Sequence, residues 1–180
     1  MGQPTCSPLW TATTGYWIFS SPAVANGVVY VGSGDHKLYA FKADGCGQPT
    51  CWPLWTATTG NTIYASSPAV ANGVVYVGSW DHKLYAFKAD GCGQSTCSPL
   101  WTATTGDAIS SSPVVANGVV YVGSADGKLY AFKADGCGQP TCSSLWTAST
   151  GNAVDSSPAV ANGVVYVGSW DHKLYAFHRK

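Results

Sequence analysis

Cysteine is the residue type whose spacing in this 180-residue chain most clearly suggests chemistry. Six of the seven cysteines form three Cys-Gly-Gln-x-Thr-Cys pairs: Cys46/Cys51, Cys92/Cys97 and Cys137/Cys142. Paired thiols form local disulfides or bind zinc, and free thiols are a third alternative. We predict disulfides, because the repeats described below place the pairs on separate structural units. Disulfides indicate an oxidising compartment, so the expected localisation is extracytoplasmic or secreted, although no signal peptide is visible in the sequence.

Cys6 is the odd cysteine, and we predict that it is a free thiol. Aligning residues 1–6 with Cys-Gly-Gln-Pro-Thr-Cys places Met1 where the other pairs have their first cysteine. Such a start looks engineered. An unpaired thiol of this kind is also able to form a disulfide between molecules.

Histidine and serine recur without forming a predicted catalytic or metal site. Asp-His-Lys occurs three times, with histidine at positions 36, 82 and 172, and the fourth copy has Gly127. A ring of histidines can hold a metal ion, but replacement by glycine is typical of a tight turn, so we predict turns and no metal. The Ser-Ser steps, the first at Ser20–Ser21, have no His and Asp at the spacing of a hydrolase triad.

The elements that carry these residues repeat four times. Residues 66–87 recur without change at 156–177, and close variants begin at Ser20 and Ser111, which gives a period of 45 or 46 residues. This period is typical of β-propeller blades. Each repeat contains four short strands, SPAVA, VVYVGS, KLYAF and LWTAT, and Asn-Gly between the first two favours a tight hairpin turn. VVYV and LYAF are apolar on both faces and therefore need cover on both sides.

We predict an all-β chain that forms a single β-propeller domain over 1–180, with four-stranded antiparallel blades and four blades per chain. The blades are expected at about 20–59, 66–105, 111–150 and 156–178, and the strand at 7–14 is expected to close the last of them. Closure within one chain would give a four-bladed ring. Closure between two chains would give an eight-bladed ring, and we favour this homodimer, formed by strand exchange at the termini, because unpaired strand edges invite association.

The run NGVVYVGSxDxKLYAFxADG, followed by a tryptophan strand, resembles the pyrroloquinoline-quinone-like propeller repeat over essentially the whole chain. The resemblance implies that Trp10, Trp55, Trp101 and Trp146 dock one blade on the next. That family includes quinone-dependent dehydrogenases, which need a carboxylate-bound metal ion and a disulfide between adjacent cysteines, and non-enzymatic members such as an outer-membrane assembly lipoprotein. This chain has no glutamate and no Cys-Cys step. We therefore predict a non-enzymatic scaffold or binding module without a cofactor.

The repeats differ mainly after Thr-Gly and in the turn between the second and third strands. Because strands alternate in direction within a blade, both places lie on one face, at the mouth of the channel. The variants there include six aromatic residues: Tyr16, Trp17, Phe19, Tyr64, Trp80 and Trp170. Aromatic side chains at a concave mouth favour contact with a carbohydrate, another small molecule or a protein. Drift in tolerant loops, with hydrophobic side chains partly plugging the channel, is the interpretation that we favour, and a binding face is the alternative.

Charge and repeat identity limit the possible partners and the origin of the chain. Nine basic and nine acidic residues give a net charge of zero, and no basic stripe is present. Neither nucleic acid nor a membrane surface is therefore an expected partner. The high identity between repeats favours a repeat-amplified or engineered propeller, which need not have an evolved ligand.

Overall fold

The computed structural model describes residues 5–178, which form strands and turns with no helix in that range. No helix capable of spanning a membrane occurs in this part of the chain. The strands are β1 (Thr11–Ala12), β2 (Ala23–Ala25), β3 (Val28–Ser33), β4 (Lys37–Lys42), β5 (Thr50–Cys51), β6 (Trp55–Thr58), β7 (Ala69–Ala71), β8 (Val74–Gly78), β9 (Lys83–Lys88), β10 (Thr96–Cys97), β11 (Trp101–Thr104), β12 (Val114–Ala116), β13 (Val119–Ser124), β14 (Lys128–Lys133), β15 (Thr141–Cys142), β16 (Trp146–Ser149), β17 (Ala159–Ala161), β18 (Val164–Ser169) and β19 (Lys173–His178).

The strands form the predicted blades of a β-propeller. Blade 1 contains β2, β3, β4 and β6; blade 2 contains β7, β8, β9 and β11; blade 3 contains β12, β13, β14 and β16. Blade 4 contains β17, β18 and β19. The antiparallel register is the same in each complete blade, so that Ala40 lies opposite both Tyr30 and Trp55 in blade 1. The prediction of repeated antiparallel blades is confirmed.

Tight turns join the strands where the sequence predicted them. Asn26 and Gly27 have φ values of 50° and 75°, the left-handed conformation that a two-residue hairpin turn requires. The turn between the second and third strands also contains a left-handed residue, with φ of 69° at His36 and 79° at Gly127. Glycine adopts this conformation without strain, which explains why it can stand in place of histidine there.

A short parallel strand from each cysteine loop is a feature that sequence analysis missed. β5, β10 and β15 pair with β1, β6 and β11, which are the outer strands of the preceding repeats. The Thr-Cys step of each loop therefore extends the sheet of its neighbour. Two of the sheets consequently have five strands, and the cysteine loops connect consecutive repeats at the rim.

The core lies between blades, as expected for strands that are apolar on both faces. Tyr30 and Leu38 of blade 1 pack against Val75 and Phe87 of blade 2. The buried Tyr30 hydroxyl donates a hydrogen bond of 2.8 Å to the carbonyl oxygen of Ala89. The same arrangement recurs between blades 2 and 3, where the Tyr76 hydroxyl donates to Ala134 at 2.8 Å.

The outer edge of blade 4 and the strand β1 do not meet in this structure. β1 pairs with β5, next to blade 1, and within residues 5–178 the sheet of blade 4 ends at β19. Closure of the last blade by the N-terminal strand of the same chain, one of the two predicted alternatives, is therefore not formed. Leu174, on the edge strand β19, accordingly stays 76% exposed, whereas the equivalent Leu129 is covered by β16 and the next blade.

Candidate functional site

The two variable stretches of each repeat meet on one face of the molecule. The backbone N–H of Gly34, in the turn of blade 1, donates to the carbonyl oxygen of Trp17 at 2.9 Å. The equivalent N–H of Trp80 in blade 2 donates to Thr62 at 3.0 Å. These hydrogen bonds recur in blades 3 and 4, from Ala125 and Trp170. The stretch after Thr-Gly and the turn after the second strand thus form one continuous surface, which we call the mouth face.

Five of the six aromatic residues predicted at the mouth form one connected row, with the sixth, Trp170, lying apart. Ring centroids are 4.7 Å apart for Tyr16 and Trp17, and 5.8 Å apart for Trp17 and Phe19. Phe19 lies 4.8 Å from Tyr64, and Tyr64 lies 4.8 Å from Trp80. We call these five residues the aromatic row. It extends across blades 1 and 2, because Phe19 and Tyr64 belong to consecutive repeats.

The aromatic row presents both apolar ring faces and unused polar atoms. Its members are exposed, with Trp17 the most accessible at 63%. The Trp80 indole N–H donates to the Ser110 hydroxyl at 3.1 Å. Within residues 5–178, the indole N–H of Trp17 and the hydroxyl of Tyr64 have no hydrogen-bond partner. Aromatic residues of this kind suit a ligand that has both an apolar and a hydrogen-bonding surface.

In each of the first two blades, a large residue on one side of the mouth face lies beside a small residue on the other, and blades 1 and 2 place the large residue on opposite sides. We call this the size exchange between the turn after the second strand and the segment after Thr-Gly. A Cβ atom at Gly34 would lie 2.7 Å from Cδ1 of Tyr16, so the Tyr16 ring occupies the space beside a side-chain-free turn. In blade 2 the turn instead carries the large Trp80, and the segment carries Asn61 and Thr62 where blade 1 has Tyr16 and Trp17. The Tyr16 ring therefore packs on the turn of blade 1, whereas in blade 2 the turn itself carries the aromatic ring.

Trp170 lies at the other end of the described arc, in the turn of blade 4. It is 64% exposed and makes no ring contact with the aromatic row in residues 5–178. Its backbone N–H donates to Ala153 at 3.0 Å, the same bond that positions Trp80. The turn geometry of these two tryptophans is therefore equivalent, while their surroundings differ.

The aspartates of the mouth face connect the blades. The Asp35 carboxylate accepts hydrogen bonds from the Tyr39 hydroxyl at 2.5 Å and from the backbone N–H of Gly15 at 2.9 Å. Asp81 accepts the same two bonds from Tyr85 and Gly60. Burial raises the pKa of Tyr39 to about 12, and its hydrogen bond to Asp35 adds to this shift. These carboxylates therefore fasten the linker of one repeat to the turn of the next.

The histidines and serines also have structural partners. His82 Nε2 lies 3.6 Å from the Asp107 carboxylate, and the carbonyl oxygen of His82 accepts from Thr105. The Ser20 hydroxyl bridges the backbone N–H and carbonyl groups of Gly32, at 2.9 and 3.0 Å. Among residues 5–178, no three His, Cys, Asp or Glu side chains come together as a metal-binding group would require.

A ladder of serines on the strand-leading segments was not identified from the sequence. The N–H of Ser21 donates to the Ser67 hydroxyl at 2.8 Å, and Ser67 donates to Ser112 at 2.9 Å. Ser112 then donates to Ser157 at 3.1 Å. The second serine of every Ser-Ser step thus connects neighbouring blades. Its repetition in the sequence was the available signal, but repetition alone does not say which neighbour the hydroxyl reaches.

The cysteine loops lie on the other face. Disulfides join Cys46 to Cys51, Cys92 to Cys97 and Cys137 to Cys142, with Cα–Cα distances of 5.6, 5.7 and 5.6 Å. This confirms the predicted disulfides, which are typical of proteins from oxidising compartments. Cys6 is a free, exposed cysteine. Met1, which was aligned with the absent partner cysteine, lies outside the described residues.

The four repeated tryptophans occupy two different environments. Trp55 and Trp101 are buried, with ring centroids 6.0 Å from Tyr30 and Tyr76. Trp146 is partly buried beside Tyr121, and Trp10 is partly buried beside Phe41. The two inner tryptophans lie where consecutive blades pack together.

Repeated blades of this kind define a β-propeller, and comparisons with known proteins identify the family of propeller repeats. The family model described as outer membrane protein assembly factor BamB, of the pyrroloquinoline-quinone-like repeat group, matches residues 2–91, 47–137 and 94–180. The chain therefore belongs to this family of propeller repeats. A comparison with curated protein sequences finds no match.

Solved structures with the same fold include two designed proteins and one natural protein. The computationally designed Ika4 protein superposes with a TM-score of 0.74 at 17% identity, covering 99% of both chains. BamB from Moraxella catarrhalis gives 0.71 at 19% identity, covering 91% of this chain and 47% of BamB. The designed Ika8 protein gives 0.70 at 17% identity, covering 89% of this chain and 45% of Ika8. The chain thus spans slightly less than half of the last two.

Proposed function

We propose that this chain is a non-enzymatic propeller scaffold, and that two copies close into one eight-bladed ring by exchanging strands at their termini. The observation that carries the proposal is the complementarity of two sheet edges. β6 and β11 each pair with a strand on both sides, whereas β1 has one partner within residues 5–178. The edge of β19 is free in the same range. Free edges of this length bind other strands readily.

The register of the exchange follows from the complete blades. In blade 3, β14 and β16 place Leu129 opposite Ala148 and Ala131 opposite Trp146. The same register would place Leu174 of one copy opposite Ala12 of the second copy, and Ala176 opposite Trp10. The sequence of residues 9–13, Leu-Trp-Thr-Ala-Thr, is identical to that of the outer strands at 54–58 and 100–104. A second copy therefore supplies the strand that this edge accepts elsewhere.

A second edge is complementary in the same way. β6 and β11 accept the Thr-Cys steps of β10 and β15, with Ala57 opposite Cys97 and Ala103 opposite Cys142. β16 has β14 as its partner within residues 5–178. Thr5 and Cys6 of the second copy have the matching sequence and would lie opposite Thr147 and Ala148. The exposed Cys6 would then be covered, as its counterpart Cys97 is.

Side-chain packing at the two ends is also complementary. Within the chain, a Cβ atom at Gly32 or Gly78 would collide with Ile63 or Ile109 of the next blade. Gly168 has the same position in blade 4, where a Cβ atom would meet Ser156 at 3.3 Å. Ile18, the equivalent isoleucine at the other end of the chain, is 48% exposed. Ile18 of a second copy would fill the space beside Gly168.

The remaining parts of the proposal are supported by composition and similarity. The matched stretches of BamB and Ika8 are slightly under half of those chains, as expected for half of a ring. Asp35 and Asp81, in the turns of the mouth face, are already hydrogen-bonded in structural contacts, which favours a non-enzymatic role. The near-identity of the repeats and the match to designed Ika4 support a repeat-amplified or engineered origin. Three disulfides support an extracytoplasmic location if the protein is natural.

Ligand binding at the mouth face is a second candidate function, and one observation favours it over loop drift. The rings of the aromatic row contact one another instead of being scattered, and the Tyr16 ring packs beside the turn at Gly34. Random variation of a loop would not be expected to pair a large ring at Tyr16 with a turn residue that has no side chain, Gly34. A carbohydrate or a protein partner is the expected kind of ligand.

The native mass in solution tests the scaffold proposal directly. We expect twice 18.7 kDa, unchanged in reductant and in a Cys6→Ser variant. Leu174→Arg should return the mass to a single chain that stays folded, because Leu174 is exposed in the single chain and would become buried in the ring. Trp52→Ala, a change at an exposed residue of the cysteine loop, is the control and should leave the dimer intact. A single-chain mass for the parent protein, or a dimer lost on reduction, would contradict the proposal.

A further inference from the structure

We propose that the aromatic row is completed across the junction between two copies, and that the composite row binds a neutral oligosaccharide. This inference rests on the proposed ring of two chains. It adds a residue of the second copy to the mouth and assigns the chemical class of the ligand.

The contribution of the second copy follows from the contacts of Trp80. In blade 2, the Trp80 indole reaches forward to the segment that leads into blade 3, where its N–H donates to Ser110. Trp170 occupies the same turn position in blade 4, with the same backbone hydrogen bond. The next segment in a closed ring is that of blade 1 in the second copy. In that segment, Phe19 has the place that Ser110 has before blade 3, since each directly follows the isoleucine of its repeat.

The composite row would therefore run without a break across the junction. Phe19 contacts Trp17 and Tyr64 within its own chain, and Trp170 of the neighbouring copy would reach it from the other side. Each single chain holds the two parts at opposite ends of its arc, so neither part has the full surface. A ring of two chains would contain two such rows, related by two-fold symmetry.

The charge and polarity of the row indicate the class of ligand. All of its side chains are uncharged. Asp35 and Asp81, in the turns of blades 1 and 2, already accept hydrogen bonds from Tyr39 and Tyr85. Asp155, in the segment that leads into blade 4, is partly buried, and burial raises the pKa of its carboxyl group, which favours the neutral form. The residues of the row themselves therefore offer no charge to an anion or a cation. The exposed polar tips of Trp17 and Tyr64 suit a ligand with hydroxyl groups beside an apolar face, which is the chemistry of an uncharged sugar ring.

Tryptophan fluorescence titration with cello-, xylo-, manno- and maltohexaose tests this inference. We expect saturable binding of at least one hexaose, weakened about tenfold by Trp170→Ala or Phe19→Ala, because each change removes one aromatic contact surface. Trp52→Ala is the matched control, since Trp52 is 87% exposed but lies in a cysteine loop away from the row. Binding of a proline-rich peptide in place of every hexaose would overturn the ligand class.

Mixing two variants distinguishes a composite site from a site within one chain. A homodimer of Trp170→Ala chains, or of Phe19→Ala chains, has one altered residue at both junctions. Refolding the two variants together gives mixed rings in which one junction has both changes and the other has none. We expect tight binding to return, at one site per mixed ring. If mixing restores no binding, the site does not span two chains and the inference is wrong.

The native mass separates failure of this inference from failure of the proposed function. A chain that remains monomeric contradicts the ring and the composite row together. A dimer that binds none of the four hexaoses contradicts only the assignment of the row. Equal hexaose affinity for the dimer and for the monomeric Leu174→Arg variant would overturn the contribution of the second copy.

Discussion

The inner blade junctions and the two ends of the chain have the same sequence and opposite environments. Leu38, Leu84 and Leu129 are fully buried, whereas Leu174, at the equivalent position in blade 4, is 76% exposed. Ile63 and Ile109 are fully buried, and Ile18 is not. Burial in this fold is therefore decided by the neighbouring blade and not by the local sequence. Repeat proteins generally behave in this way, since each unit contacts only the units beside it.

This difference in burial explains why the two ends of the chain should associate with each other. A blade that is apolar on both faces gains its stability only when a second blade covers each face. The inner blades have this cover, and the outward face of blade 4 has not. The two ends expose matching surfaces, one with Ile18 and the other with Gly168, so each can provide the cover that the other needs.

The largest expected effect is at an inner junction. Leu84→Ala should lower the free energy of unfolding by about 2–5 kcal/mol, because it leaves a cavity between blades 2 and 3. At protein concentrations low enough for the single chain to dominate, Leu174→Ala should cost almost nothing, because Leu174 is 76% exposed there. Chemical denaturation of each variant beside the parent protein provides the measurement. Equal losses at the two positions would mean that the environments of the inner junction and the end do not differ as described.

The second comparison is between two equivalent glycines, Gly78 at an inner junction and Gly168 in the terminal blade. A Cβ atom at Gly78 collides with Ile109, so Gly78→Ala should lower the free energy of unfolding by about 1–3 kcal/mol through overpacking. Gly168→Ala should affect the single chain much less, because its Cβ would meet Ser156 Oγ of the same blade at 3.3 Å and no side chain of a neighbouring blade. The same change should weaken dimerisation, because Ile18 of the second copy would meet the added methyl group. Unfolding curves and sedimentation equilibrium measure the two effects separately.

Most of the fold could be predicted because the same sequence signals for turns and strands recur in all four repeats. The Asn-Gly steps gave the hairpins, and the doubly apolar strands gave the stacking of blades. The pairing of β5, β10 and β15 with the preceding repeat could not be predicted, because a two-residue Thr-Cys strand has no periodicity to read. The place of β1 beside β5 depends on this same contact.

The sequence indicated which aromatic residues lie on the mouth face, but not which of their rings contact one another. Differences between repeats located Tyr64 and Trp80, and the alternation of strand direction placed them on one face. Their contacts depend on the size exchange between turn and segment, which involves a backbone glycine, Gly34, with no side chain to reveal a partner. The separation of Trp170 from the row depends on the arc of the whole chain, which no local pattern encodes.

The disulfide loops allow a comparison of the rim with the core. Replacing Cys92 and Cys97 with alanine should lower the free energy of unfolding by about 2 kcal/mol, because the closed loop restricts the unfolded chain and presents Thr96 and Cys97 to β6. Hydrogen exchange should also become faster in β10 and along the rim of β6, with the inner strand β8 unaffected. A uniform increase in exchange would show that the loop supports the whole core and not only the rim.

Alkaline pH provides the smallest and most selective test, through the tyrosines that hold the aspartate contacts. Burial, with a contribution from the hydrogen bond to Asp126, raises the pKa of Tyr130 to about 12. For a group whose pKa is raised by folding, the stabilisation is fully present below the unfolded value, near 10, and is lost as pH rises through the folded value. Stability should therefore decline between pH 10 and 12. Tyr130→Phe should lower stability at neutral pH and flatten this decline, which urea unfolding at a series of pH values would measure.

The terminal blade supplies the control for this effect. Tyr175 makes the equivalent hydrogen bond to Asp171, which raises its pKa, but its side chain is only partly buried. In the single chain, Tyr175→Phe should therefore change the alkaline decline less than Tyr130→Phe. In a closed ring, the blade of a second copy would cover Leu174 and its neighbours, and the two variants should become more alike. A Tyr175→Phe effect that is independent of protein concentration would indicate that closure of the ring does not change the environment of blade 4.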